Sequence, residues 1–250
     1  MRDTIQTKEY FDKGIAFKQK TIDRDRNSVH EIPRHSARAV EVYSLCERSA
    51  MLCAQRYSRG DDIAEMKPSV TQMMDMFELR YLTMPTLDLP QQGWEMWRNL
   101  TLSQLYDHFT CLAFATSLRY PADVYMKLLQ AIGHLGEDGL LDRIAVQLGD
   151  TGRHVAAASK FGMEYDDLVA VIDAPAEARP AMLKTYIENW YKKHMKDMSW
   201  HGNHKSEAYV GYWCFEAALV AMLWNIDDTA ISSHKHYPVD LVRYYRETGS

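Results

Sequence analysis

Apolar positions along this chain recur at helical spacing, and no window of more than a few residues alternates as a half-buried strand does. Residues 5–26 form a polar amphipathic stretch rich in Lys and Arg. Residues 36–57 carry Val40, Tyr43, Leu45, Ala50, Leu52, Ala54 and Tyr57, and Gly60 ends that helix. Asp61 and Asp62 then suit the start of a helix reaching about Arg80. Pro85 and Pro90 bracket a loop, MPTLDLPQQG, before an apolar helix from Thr101 to Leu118 that stops at Tyr120-Pro121. Further helices are expected over ADVYMKLLQAIG, LLDRIAVQLG and 163–172, separated by GEDG and the loop GDTGRH. AMLKTYIENWYKKHM follows, with Leu183, Ile187, Trp190 and Tyr191 on one stripe, and Pro238 suits the first turn of a last helix, VDLVRYYR. The pattern predicts an all-α protein: an N-terminal helical subdomain (1–120) and a C-terminal helical domain (121–250) around a central apolar helix.

That central element is GYWCFEAALVAMLWNIDD, starting at Gly211. From Ala208 to Ile226 Glu216 is the lone charge, and the length approaches the roughly 20 residues of a membrane span. A carboxylate at a bilayer centre costs on the order of 2.5–3.5 kcal/mol, however, and no second span is present to pair with it. A helix that is apolar all round in a soluble chain is a core helix. Read as one helix from Tyr209, it groups Glu216 with Tyr209, Tyr212, Trp213, Val220 and Leu223. A carboxylate there must be paired, hydrogen-bonded or neutral.

Charge narrows the function classes. The formal net charge is −5, which weighs against direct nucleic-acid binding. Acids outnumber bases between Asp61 and Glu95, and ten acids face five bases between Asp123 and Arg179. Such runs are ordinarily solvated helix faces, yet an acidic face also suits a basic partner. Cys46, Cys53, Cys111 and Cys214 show no ligand spacing. Cys46 and Cys53 sit seven apart on one helix, roughly 10 Å along its axis, too far to bridge. Four reduced thiols and a charged N-terminal stretch, MRDTIQTKEYFDKG, point to a cytoplasmic protein.

Candidate chemistry is sparse. His201, His204 and Glu207 are three apart, and with Asp227 they make one metal-ligand set, which gives an alternative reading as a metal-dependent helical hydrolase. Gly202 and Lys205 instead mark a polar entry where histidine is merely soluble. HEIPRH has its histidines five apart with Pro33 between them, which the zincin helix does not allow. No nucleophile elbow, phosphate loop or dinucleotide fingerprint is present, so neither cofactor nor metal is expected. GDTGRH, with Arg153, offers amides to an anion but more simply turns the chain.

Trp200, the run Gly211-Tyr212-Trp213-x-Phe215-Glu216, the turn Asp227-Asp228 and the segment from Tyr237-Pro238 to Asp240 resemble, in this order, the C-terminal domain of the PoNi family. These are immunity proteins to polymorphic nuclease effectors. Leu52–Val70 is similar to that family's N-terminal domain, where a Y-S-x-G turn joins two helices. The resemblance implies a helical, non-enzymatic protein that binds and silences a DNA-cleaving toxin delivered by a secretion system, notably type VI. It makes the Trp200-to-Asp240 motif core architecture and leaves the interface to surface acids and aromatics. The acids of the two runs (Asp61, Asp62 and Glu65; Glu137, Asp138, Asp166 and Asp167) are the candidates, with Tyr57 and Tyr165 as aromatic anchors. The sequence does not fix the oligomeric state.

Overall fold

The computed structural model describes residues 1–249, and among these the protein has eleven α-helices and no strand. The helices are α1 (Lys8–Ser28), α2 (His35–Arg59), α3 (Lys67–Thr83), α4 (Gln91–Arg98), α5 (Leu102–Ser117), α6 (Ala122–Ile132), α7 (Gly139–Gln147), α8 (Gly162–Asp173), α9 (Arg179–Asn189), α10 (Phe215–Leu223) and α11 (Val239–Glu247). The all-α expectation holds. The chain forms two compact units: residues 1–107, 130–132 and 203–211 in the first; 108–129, 133–202 and the stretch from Tyr212 onward in the second.

In the first unit α1, α2 and α3 bury Phe11, Ile22, Val42, Leu45, Leu52, Val70, Met73 and Met76 completely. Thr7 caps α1 by accepting from Tyr10 N, and Gly60, at φ +99°, terminates α2 in the left-handed region. Helices α1 and α2 approach closely because position 14 is glycine: a Cβ there would lie 2.7 Å from the Gln55 amide nitrogen. Residues 203–211 complete this unit through their backbone carbonyls. Ser206 and Tyr209 accept from Tyr10 OH (2.8 and 2.9 Å), Tyr209 also from Gln55 Nε2 (3.0 Å), and Val210 from Ser58 Oγ (2.6 Å). Tyr209 OH in turn donates to Asp3 at 2.6 Å.

Two expectations shift in this unit. Asp62, not both aspartates, acts as a cap, accepting from Ala64 N at the head of a 3-10 turn, and α3 starts only at Lys67. The stretch after Pro90 is helical where only a loop was expected up to Gly93, because Pro90 sits before the first turn as an extended residue and α4 follows at once.

In the second unit α10 is buried on every side from Phe215 to Met222. At nine residues it is roughly 13 Å long, and no helix among the described residues is long and apolar enough to cross a membrane. The expected helix starting near Tyr209 is corrected: residues 209–214 are not helical. Gly211 takes φ +103°, Cys214 N donates to the His236 carbonyl (2.8 Å), and the Tyr212 carbonyl accepts from His236 Nδ1 (2.9 Å). Bonds to a distant segment replace the local ladder, and an unbroken apolar run cannot distinguish the two states. Helix α9 likewise ends at Asn189 in a π turn, Trp190–His194, rather than running on to Met195.

Candidate functional site

Glu216 is fully buried in the first turn of α10, where its Oε1 accepts from Trp190 Nε1 (2.6 Å) and Tyr186 OH (3.3 Å). Burial pushes its carboxyl up to about 7, against the lowering effect of hydrogen bonds including that from Trp190. The π turn delivers Trp190 to this acid and turns Tyr191 toward two imidazoles, stacking on His201 (4.3 Å) and His236 (5.1 Å). Trp200 stacks on Trp190 (5.8 Å) and lies 5.7 Å from Tyr212. Phe215 meets Phe114 at 5.1 Å, and Trp213 is 5% exposed. Buried Asp228 accepts from Tyr237 OH (2.9 Å) and from Arg246, whose other nitrogen reaches the Ile226 carbonyl (2.7 Å). Asp227 is exposed and accepts from Thr229 N and Oγ1, turning the chain into a 3-10 segment. Pro238 precedes α11, and Asp240 in its first turn accepts from Arg243. The Trp200-to-Asp240 residues are therefore chiefly interior and turn architecture.

The acid-rich segments are less bare than their sequence suggests. Asp61 is held between Arg56 Nε and Arg59, each at 2.7 Å. Burial opposes its ionisation, but the two guanidiniums outweigh that and keep the carboxyl below its usual range. Asp62 and Glu65 stay exposed. In the second unit Asp138 is fully buried and is corrected from surface acid to helix cap. It accepts from Leu140 N and Leu141 N at the start of α7 and from Ser159 Oγ and Lys160 N. The same loop gathers its neighbours: Glu137 lies 3.5 Å from Lys160 Nζ, and Asp166 accepts from Ser159 N (2.8 Å). Asp167, next along α8, pairs with Lys193 at 2.8 Å.

Tyr57 and Tyr165 are 1% and 0% exposed, so neither is a surface anchor. Each lies on a helix face turned to the interior, where an aromatic ring is favoured. The exposed apolar side chains near the second cluster are instead Leu135 (63%), two residues before Glu137, and Met163 (46%), one helical turn before Asp166 and Asp167. Nothing in the sequence separates these from interior residues except their place beside GEDG and at the start of α8.

The metal-ligand alternative loses its site. Among the described residues no group of three or more His, Cys, Asp or Glu could hold a metal ion. His201 is occupied with the Tyr191 carbonyl at 3.1 Å and with the Tyr191 ring. Arg153 of GDTGRH faces inward, paired with Asp142 at 2.6 Å and donating to the Gly133 and His134 carbonyls, so that loop holds an internal ion pair rather than an anion site. All four cysteines are buried and unbridged.

No curated protein matches the chain. The fold is similar to that of protein PA2201 from Pseudomonas aeruginosa in its crystal structure, with a TM-score of 0.73, 16% sequence identity, and 100% of this chain and 92% of that chain covered. Residues 136–241, which hold the buried Glu216 centre, the Asp228 turn and the Glu137–Asp166 loop cluster, match the family model described as PoNe immunity proteins (PoNi), C-terminal.

Proposed function

We propose that this protein is an immunity protein that binds and neutralises a cognate DNA-cleaving toxin inside the cell that makes both. The observation that carries this reading is the family match over residues 136–241. On it the protein is a binding partner rather than an enzyme, works in the cytoplasm, contacts the toxin and not DNA, and meets a toxin moved by a secretion system of type VI. A nuclease that holds a polyanion carries Lys and Arg in its cleft. Exposed carboxylates are complementary to that field and chiefly set encounter and selectivity.

Of the two acid faces, the one with Glu137, Asp166 and Asp167 suits an interface better, because Leu135 and Met163 stand exposed beside the acids. Apolar side chains that become desolvated at the centre of a contact set dissociation, and a charged rim surrounds them. Asp62 and Glu65 form the weaker candidate.

The test is co-expression with the toxin encoded beside this gene. The wild-type chain is expected to restore growth, and Leu135→Glu with Met163→Glu to lose protection while melting as wild type does. Growth arrest in the presence of folded wild-type protein would end the immunity reading. Full protection by the double variant would move the interface elsewhere.

A further inference from the structure

Met163 and Asp167, both on the face proposed to meet the toxin, stand one turn apart on α8, and a single buried imidazole touches the two of them. It belongs to His194, the last residue of the π turn, which is 1% exposed. Its Nδ1 donates to the Met163 carbonyl at 2.7 Å, and its ring stacks on Tyr186 of α9 at 4.6 Å. A carbonyl only accepts, so Nδ1 carries the hydrogen and Nε2 of the neutral ring presents a lone pair. That Nε2 is buried without a hydrogen-bond partner, and Asp167 Oδ2 lies 3.5 Å from it.

A lone pair facing a carboxylate makes no bond. One added proton turns Nε2 into a donor beside Asp167 and permits a charge-assisted hydrogen bond. The other groups around the ring decide when that proton arrives. Lys193, its chain neighbour, pairs with the exposed Asp167 at 2.8 Å and disfavours a second cation. Tyr186, from α9, stays neutral, its hydroxyl engaged with the Glu164 carbonyl and with Glu216. Burial acts most strongly and pushes the imidazole down, and Lys193 adds to it, against the Met163 carbonyl and Asp167. The ring is therefore neutral at pH 7 and becomes charged on acidification.

We propose that His194 is a positioning residue for the toxin contact: it holds the Met163 carbonyl in both charge states and withdraws Asp167 from the partner when Nε2 is protonated. This rests on the reading that places the contact at Met163 and Asp167. With His194 neutral, Asp167 has only the exposed Lys193 as its cation, a weak pair that a basic partner can displace. With His194 charged, the carboxylate is bound from the interior side, where water competes less. Acidification through the His194 transition then removes one charge from the steering face and slows encounter.

The imidazole signal of His194, followed by NMR across pH in the full chain, gives a test that needs no toxin. Asp167→Asn, a substitution at an exposed site, should move the His194 transition to lower pH. The shift should persist when Lys193→Met is present in both chains compared, which excludes an effect through the lysine. A transition left in place by Asp167→Asn, as for a ring that only packs, overturns the proposal, and so does a shift that vanishes with Lys193→Met. The second measurement is the ratio of low-salt association rates with the toxin, wild type over Asp167→Asn, in which the toxin's own titration cancels. The ratio should exceed one above the His194 transition and approach one below it, and a ratio constant with pH overturns the proposal. Failure of the toxin to bind either chain ends the immunity reading instead. The two failures are distinguishable because the titration is made on the free protein.

Discussion

Glu216 and His236, both buried in the second unit, act on stability in opposite directions as pH changes. Burial raises the Glu216 carboxyl from 4.5 to about 7. Between those values the folded chain keeps a proton that the unfolded chain has released. Stability from this group is therefore complete below about pH 4.5 and falls as pH rises through the window, by at most roughly 3 kcal/mol. Burial lowers His236 from 6.5 to about 4, so the unfolded chain takes up a proton first and stability falls as pH drops through that window. The two slopes oppose each other between pH 4.5 and 6.5, and wild type should show a shallow profile there. Glu216→Gln removes one slope: the melting temperature of wild type minus that of the variant should decrease steadily from pH 4.5 to 7, and a constant difference would show the carboxyl ionised throughout. Glu216→Ala strips the Trp190 N–H of its acceptor and should cost about 1–3 kcal/mol in urea unfolding. That a buried acid here needs partners was legible in the sequence. Which partners was not, because Trp190 and Tyr186 lie 26 and 30 residues away. Tyr57 and Tyr165 misled in the reverse sense: an aromatic ring beside acids looks the same in sequence whether its helix face is turned in or out.

At the scale of elements, helix boundaries followed the punctuation of Gly, Pro and Asp wherever the deciding bond was local. Gly60 ends α2, and Asp138 starts α7. Asp138→Ala removes the cap and also strands Ser159 Oγ and Lys160 N, so a loss of about 2–3 kcal/mol is expected, above the ~1 kcal/mol of an ordinary cap. A loss no larger than that of an exposed cap, read by urea unfolding, would show the Ser159 loop to be independently held. Gly14→Ala places a Cβ against the buried Gln55 amide, and overpacking of this kind costs about 1–3 kcal/mol. A melting temperature equal to or above wild type would mean that Gln55 can swing aside. Boundaries failed where bonds were distant: residues 209–214 look helical by composition, but Tyr212 and Cys214 are bonded to His236, and no local residue in the sequence marks the π turn at Trp190.

For the whole molecule, the immunity reading makes a kinetic prediction. Glu137→Lys with Asp167→Lys should slow association with the toxin roughly tenfold at low salt, and the gap should close as salt screens the field. Asp62→Lys with Glu65→Lys serves as the comparison and should leave the rate near wild type. If neither pair alters the low-salt rate, the toxin is held through an apolar surface without charge steering. The motif from Trp200 to Asp240 was readable because its residues are bound to one another in a fixed order, and the family match covers it. The grouping of 203–211 with the first unit left no mark in the sequence, since it acts through backbone carbonyls.

That grouping also sets an order of events during synthesis. The carbonyls that accept from Tyr10, Gln55 and Ser58 belong to residues 206–210, so the first unit has all its own helices translated long before it can close. At about 5–20 residues per second, the intervening hundred or so residues impose a delay of roughly 5–20 s. During that interval Tyr10, Gln55 and Ser58 on α1 and α2 lack the carbonyls that later accept from them, and the nascent N-terminal half should be open to protease. Ribosome-bound chains arrested after residue 107 are expected to be cut rapidly within α1, and chains arrested well beyond residue 211 to resist. Equal resistance of the two would show that the N-terminal helices close without the returning segment.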